Sequence, residues 1–238
     1  MIMDITKENT VAEVVSKNLG SDHVFSKYKI DFCCGGGDTL EKACNEKGID
    51  FEVLKQEIDA LNNKITGGVA IEELDIPTLI DQVKEVYHIV ISDAFYEISP
   101  YAEKVANVHG GAHKELVEIN DLYKNVELVI NETFRNSLMS LYPIINEIVD
   151  ASEKSEEVSI DTLQAFQKAI ERNEIAQKLI GDSFKEIASL SSNYQVPADG
   201  CNSYKYLYKN LKQLEHEVHK YMHFEKNVLI PKALNIIE

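Results

Sequence analysis

Residues 207–228 read LYKNLKQLEHEVHKYMHFEKNV, and the spacing of their apolar side chains decides how the chain folds. Leu207, Leu211, Leu214, Val218, Tyr221 and Val228 fall on one helical stripe, its steps of three and four filled by Glu225, a pattern foreign to the two-residue alternation of a strand. Glu225 occupies the place between Tyr221 and Val228, so a carboxylate is expected to point into the core. Such a group must become neutral, pair with a donor or cation, or ligate a metal.

The same reading extends to three other segments. His88 shares a stripe with Ile91, Phe95 and Ile98 that continues through Ala102 and Val105 to His109. Thr133 and Ser137 follow Ile119, Val126 and Ile130, while Asn173 and Gln177 lie among Phe166, Ile170, Ile180 and Phe184. A polar layer inside a helical bundle is therefore expected, with hydroxyls and amides that can hydrogen-bond Tyr221 or Glu225 but are poor ligands for iron. On an uninterrupted helix His88 and His109 would stand roughly 31 Å apart at the rise of 1.5 Å per residue. Ser99-Pro100 predicts a break there, which leaves a shared site open. His216, His219 and His223 fall off the inward stripe and read as a solvated polar face rather than a surface zinc or nickel site.

Only 11 glycines and five prolines interrupt the chain, and strand-like alternation is absent, so the fold class is all-α. Short helices are predicted over 11–19, 23–28, 39–46 and 51–62. The run ITGGVAIEELDIP then marks a linker, which divides a small helical domain, 1–65, from a larger one, 76–238. The larger domain reads as four long helices. The first starts at Pro77 and runs to Ile98, followed by a shorter piece ending before Gly110. The second spans 114–141 and ends near Pro143. The third, opened by an Asp161/Gln164 capping box, reaches Ser191, and the fourth covers 203–230. Their modest connections predict an antiparallel four-helix bundle.

Residues 30–40, IDFCCGGGDTL, place two adjacent thiols, Cys33 and Cys34, before three glycines and a helix expected to be capped by Asp38 and Glu41. A helix N-terminus favours thiolate, so the pair are candidate nucleophiles or soft-metal ligands, and a metal-free dithiol redox pair is a further reading.

Composition sets the outer limits. Forty acidic against 24 basic residues give the 238-residue chain a formal charge of −16, which disfavours nucleic acid and anionic membranes as partners. No stretch approaches the roughly 20 apolar residues of a membrane span. The four cysteines form no disulfide framework and the N-terminus carries no secretory pattern, so a reducing cytoplasm is expected. Homo-oligomerisation is left open.

Taken together, YKIDFCCGGGDTLEKAC, LIDQVKEVYH, YAEKVANVHGG and HFEKNVLIPKAL resemble the repair-of-iron-centres di-iron proteins, including the ScdA-like proteins. Cys201, after YQVPADG, also falls where that family often carries a cysteine. The resemblance implies a small Cys-Cys-Gly domain followed by a hemerythrin-like bundle. It also implies repair of iron-sulfur clusters after oxidative or nitrosative damage, with damaged iron-sulfur proteins as partners and iron as cofactor. Carried over by position, His88, His109 and Glu225 match family metal ligands, whereas Thr133, Ser137, Gln177 and Tyr221 stand where the family has its others. Two irons need roughly six or seven His and carboxylate donors, so the resemblance predicts an incomplete site, holding one metal ion or none. The alternative function is a pseudo-hemerythrin acting as a binding, sensor or scaffold protein without di-iron chemistry. A repair or iron-handling protein is expected rather than a classical enzyme.

Overall fold

The computed structural model describes residues 5–17, 21–30, 32, 36–65 and 74–237. Among them all regular structure is helical, apart from one isolated bridge between Thr10 and Thr39. Contacts divide the chain into two compact units. One gathers the described residues up to Asp81 together with His219–Ile236, and the other is Gln82–Val218.

The first unit contains α1 (Val11–Lys17), α2 (Ser21–Lys27), α3 (Leu40–Lys47), α4 (Phe51–Ile65) and all but the last residue of α5 (Ile76–Gln82). Val11, Val14, Phe25, Leu40 and Leu54 make its centre, none of them measurably exposed. The N-cap of α3 is Thr39, whose hydroxyl accepts from the Lys42 N–H, and not Asp38, which pairs with Lys42 Nζ at 2.7 Å. Gly48 ends the helix in the left-handed region at φ 65°, where a side chain would be strained.

The second unit is built on long helices: α6 (Ile89–His109), α7 (Glu115–Asn136), α8 (Tyr142–Glu153), α9 (Ile160–Leu190) and most of α10 (Asn202–Phe224). Helix α7 packs against α6 and α9, and α8 against α9. The Tyr206 ring on α10 meets Tyr101 on α6 at 4.3 Å. The inward stripes are buried as their periodicity requires: Ile91, Phe95, Ile98, Ala102 and Val105 on α6, Phe166, Ile180 and Phe184 on α9, and Leu207, Leu211, Leu214 and Val218 on α10.

Three expectations are corrected. Helix α6 does not break at Ser99-Pro100 but carries Pro100 in its interior. Pro100 and Tyr96, four residues before it, are both exposed, so water can take the carbonyl that proline leaves unbonded. The Ser99 hydroxyl donates to the Phe95 carbonyl at 2.8 Å, and the Tyr123 hydroxyl reaches the same oxygen at 3.1 Å. Nor does the second helix end at Pro143. It passes through a π-helical segment, π2 (Ser137–Leu141), into α8, whose first turn accommodates the proline. Finally, α9 is capped by Ser159, which accepts from the Thr162 N–H at 3.0 Å, and not by Asp161.

Among the described residues two more π-helical segments occur, π1 (Val83–His88) and π3 (Glu225–Leu229), the latter leading into α11 (Ile230–Ile237). Each π segment adds a residue to a turn and shifts the register. Consequently Leu229 is fully buried where Val228 was expected, and Val228 is half-buried.

Candidate functional site

Cys33, Cys34 and Gly35 lie outside the described residues, and Phe32 and Gly36 are the described residues nearest to them on either side. Phe32 is buried in the core of the first unit. Gly36 is buried too: its carbonyl accepts from the Ala12 N–H at 2.9 Å, at the start of α1. A Cβ added at Gly36 would stand 2.8 Å from the Phe32 carbonyl oxygen and 3.0 Å from Ala12 Cβ. Only glycine permits that approach, so the second of the three glycines after the thiols has a steric reason to lack a side chain.

The last turns of α10 complete these surroundings. His223 Nδ1 lies 3.3 Å from the Phe32 carbonyl oxygen and 2.9 Å from the Asn227 side-chain nitrogen. The Phe32 ring meets His219 and His223 edge-on, at 6.3 and 6.0 Å. His223 is 2% exposed, which corrects its assignment to a solvated face. Its Nε2 is buried with no hydrogen-bond partner among the described residues. Burial pushes its pKa down to about 4, so the imidazole is neutral at pH 7.

The expected polar layer is present in the second unit, where His88, Thr133, Ser137, Asn173 and Gln177 are all buried. His88 closes π1 with its ring stacked on Phe134 at 3.8 Å, and burial lowers its pKa to about 4. The Thr133 hydroxyl donates to the Val129 carbonyl at 2.7 Å. Thr133, Ser137, Arg172 and Asn173 are among the residues lining a cavity of about 30 Å³, room for a water molecule or two. In the first unit Glu225 opens π3, is fully buried, and accepts a hydrogen bond from the Tyr221 hydroxyl at 2.9 Å. Candidate-ligand positions His88 and Glu225, and the replaced position Ser137, thus all fall in π-helical segments, which are frequent at functional sites.

His109 is elsewhere. With α6 unbroken, it stands roughly 31 Å along the helix from His88, so those two histidines do not share a metal. Instead His109 Nε2 lies 3.3 Å from the Sγ of Cys201, which directly precedes α10. Cys201 is exposed, and the backbone N–H of Tyr204 followed by His109 pull its pKa down to about 7. Beside it, His113 Nε2 lies 3.1 Å from Asp199 and its Nδ1 3.2 Å from Glu115. Position in the sequence marked both His109 and Cys201. Their pairing spans 92 residues and had no local signal.

The donor set does not fit a di-iron centre. At the four positions where the resemblance leads one to expect ligands stand a threonine bonded to its own helix, a serine, an amide, and a tyrosine whose hydroxyl donates to the Glu225 carboxylate. Among the described residues no three His, Cys, Asp or Glu side chains are grouped to hold a metal ion. No described helix is long and apolar enough to cross a membrane.

Comparison with known proteins gives a consistent picture. The family model ScdA_N, "Domain of Unknown function (DUF542)", matches residues 7–62. Over 234 residues the chain is 32% identical to the iron-sulfur cluster repair protein ScdA of Staphylococcus haemolyticus, covering 96% of this chain and 99% of that one. Against the protein of the same name from Staphylococcus epidermidis the identity is 30% over 241 residues, with the same coverage. Against the iron-sulfur cluster repair protein YtfE of Yersinia pseudotuberculosis it is 24% over 216 residues, covering 89% and 90%.

Proposed function

Because this chain belongs to the ScdA/YtfE family of iron-sulfur cluster repair proteins, we propose that it restores iron-sulfur clusters after oxidative or nitrosative damage, with Cys33 and Cys34 as the groups that handle the iron. The observation that carries this reading is similarity to named repair proteins over 96% of the chain, including the segment around the two thiols. Thiolates are the natural ligands of iron-sulfur clusters, so a vicinal pair can take hold of a damaged cluster or of the iron it releases. Phe32 and Gly36, on either side of the stretch that carries the thiols, are buried, and His223 lies against Phe32, so that stretch is anchored in the core of its unit at both of these residues. The clients are damaged iron-sulfur proteins, the compartment is the cytoplasm, and the domains are 1–65 and a hemerythrin-like antiparallel four-helix bundle over 76–238. His88 and Glu225 are the bundle's remaining metal-capable groups. The iron in this reaction belongs to the client's cluster, and no step is assigned to a resident iron pair.

The test is reactivation of an iron-sulfur enzyme whose cluster has been damaged by nitric oxide. The Cys33→Ser/Cys34→Ser protein is expected to lose the reactivation that the parent supports. Equal reactivation by both would reject the role of the pair.

The hydrogen bond from Tyr221 to Glu225 favours a second reading, in which the bundle is a scaffold or sensor whose former ligand positions satisfy one another. Two irons per chain with the absorption of an oxo-bridged pair would sink it.

A further inference from the structure

Where the end of α7 and π2 face α9, small side chains stand opposite small ones. Thr133, Ser137 and Ser140 follow one another along the first face, and Ala169, Asn173 and Ala176 along the second, in the steps of three and four that align one side of a helix. Large side chains would interlock across such a contact; these six instead line the cavity of about 30 Å³ in the second unit. Thr133, Ser137 and Asn173 are buried in it. Asn136 and Ser140 are half-buried and Arg172 is exposed, so the cavity reaches the surface on the side where the guanidinium stands.

The lining carries hydroxyls, amides and one guanidinium, and no carboxylate. That is unexpected in a chain with 40 acidic residues. Arg172 is one of two arginines; Arg135 reaches Glu132 at 3.7 Å, whereas Arg172 makes no ion pair among the described residues. Its sequence neighbour Glu171 accepts from Gln167 at 3.0 Å instead. A metal cation would meet a positive charge and no anionic ligand here, and an apolar molecule would leave the buried hydroxyls and amides without water. An anion meets donors: the guanidinium fork, the amide N–H groups of Asn136 and Asn173, and the Ser140 hydroxyl. Thr133 and Ser137 stand where the family resemblance leads one to expect metal ligands, and with hydroxyls there nothing in the lining repels negative charge.

We propose that this cavity binds a small, planar, singly charged oxyanion, with Arg172 pairing to two of its oxygens and the amides of Asn136 and Asn173 donating to it. Planarity follows from the guanidinium fork, whose parallel N–H groups match two oxygens in one plane. The single charge follows from the single cation. Size follows from the volume, which admits about three or four heavy atoms and excludes a nucleotide or a sugar phosphate. The net charge of −16 opposes any anion at long range, but it is screened beyond about 8 Å at physiological salt, so the local donors set an affinity in the millimolar range. Cys33 and Cys34 take no part, and the site stands or falls apart from the repair reading.

The experiment titrates the full chain with sodium formate, exchanged for sodium chloride at constant ionic strength, and follows the Arg172 Nε–H and the side-chain N–H groups of Asn136 and Asn173 by two-dimensional NMR. These resonances are expected to shift along saturating curves with a common millimolar midpoint, while the Nε–H of Arg135, outside the cavity, moves little. Arg172→Gln, at an exposed position, is expected to raise the midpoint read at Asn173 roughly tenfold. Ala176→Leu, which fills the cavity and leaves the guanidinium in place, is expected to abolish saturation. Parent shifts that grow without saturating, or that Arg135 shows equally, overturn the proposal whether or not the variants fold, and leave a cavity that holds water alone. So does a folded Arg172→Gln protein with the parent's midpoint, or a folded Ala176→Leu protein that still saturates.

Discussion

Gly36 shows how much one missing side chain can determine. The carbonyl oxygen of Phe32 lies where a methyl group at residue 36 would begin, and backbone cannot step aside as a flexible side chain would. Gly36→Ala is therefore expected to cost about 1–3 kcal/mol of stability in urea unfolding and to impair cluster repair with it. His113 supplies the pH-dependent term. Its hydrogen bond to Asp199 first, then that to Glu115, raises its pKa above 6.5, and the same contact with His113 holds Asp199 below 3.8. The ion pair contributes in full between about pH 3.8 and 6.5. It is lost on the alkaline side as His113 deprotonates above 6.5, and on the acid side as Asp199 protonates below 3.8. An NMR titration should place the His113 midpoint above 6.5, and Asp199→Asn should bring it down. At this scale sequence revealed the inward Glu225, because helical period alone orients a residue against its own neighbours. It missed the burial of His223, whose covering residue Phe32 is 191 positions away.

Among the elements, the helices were legible and their ends were not. Four long apolar periods announce four long helices, yet Pro100 and Pro143, which local rules make stops, both lie within continuous helical structure. A proline breaks a helix only where its lost hydrogen bond cannot be replaced, and exposure at Pro100 lets water replace it. Pro100→Ala should restore that bond and raise the melting temperature, by a stabilisation of up to about 3 kcal/mol seen in calorimetry. The cap of α9 offers a sharper comparison. Ser159→Ala should cost about 1 kcal/mol because the Thr162 N–H loses its acceptor, whereas Asp161→Ala should cost a few tenths by weakening the helix dipole interaction alone. Equal losses in thermal unfolding would mean that the cap is shared. The π-helical segments left no trace in sequence. A periodic reading assumes a constant turn, so the extra residue at each of them is invisible to it.

For the whole molecule the consequence is a metal count. Protein purified anaerobically without a polyhistidine tag is expected to contain fewer than two irons per chain by elemental analysis, because Thr133, Ser137, Gln177 and Tyr221 are poor iron ligands and stand where the family resemblance leads one to expect histidine and carboxylate. Two irons would overturn that reading of the donors. By itself the sequence determined the all-helical class, the buried stripes, the polar layer and the family, since each follows from residue type and near-neighbour spacing. Only the tertiary structure decided which groups meet. It kept His109 far from His88 by leaving α6 unbroken, brought it to Cys201 across 92 residues, and laid His223 against Phe32 across 191. Those pairings arise where helices from distant parts of the chain pack together, and local spacing carries no information about such contacts.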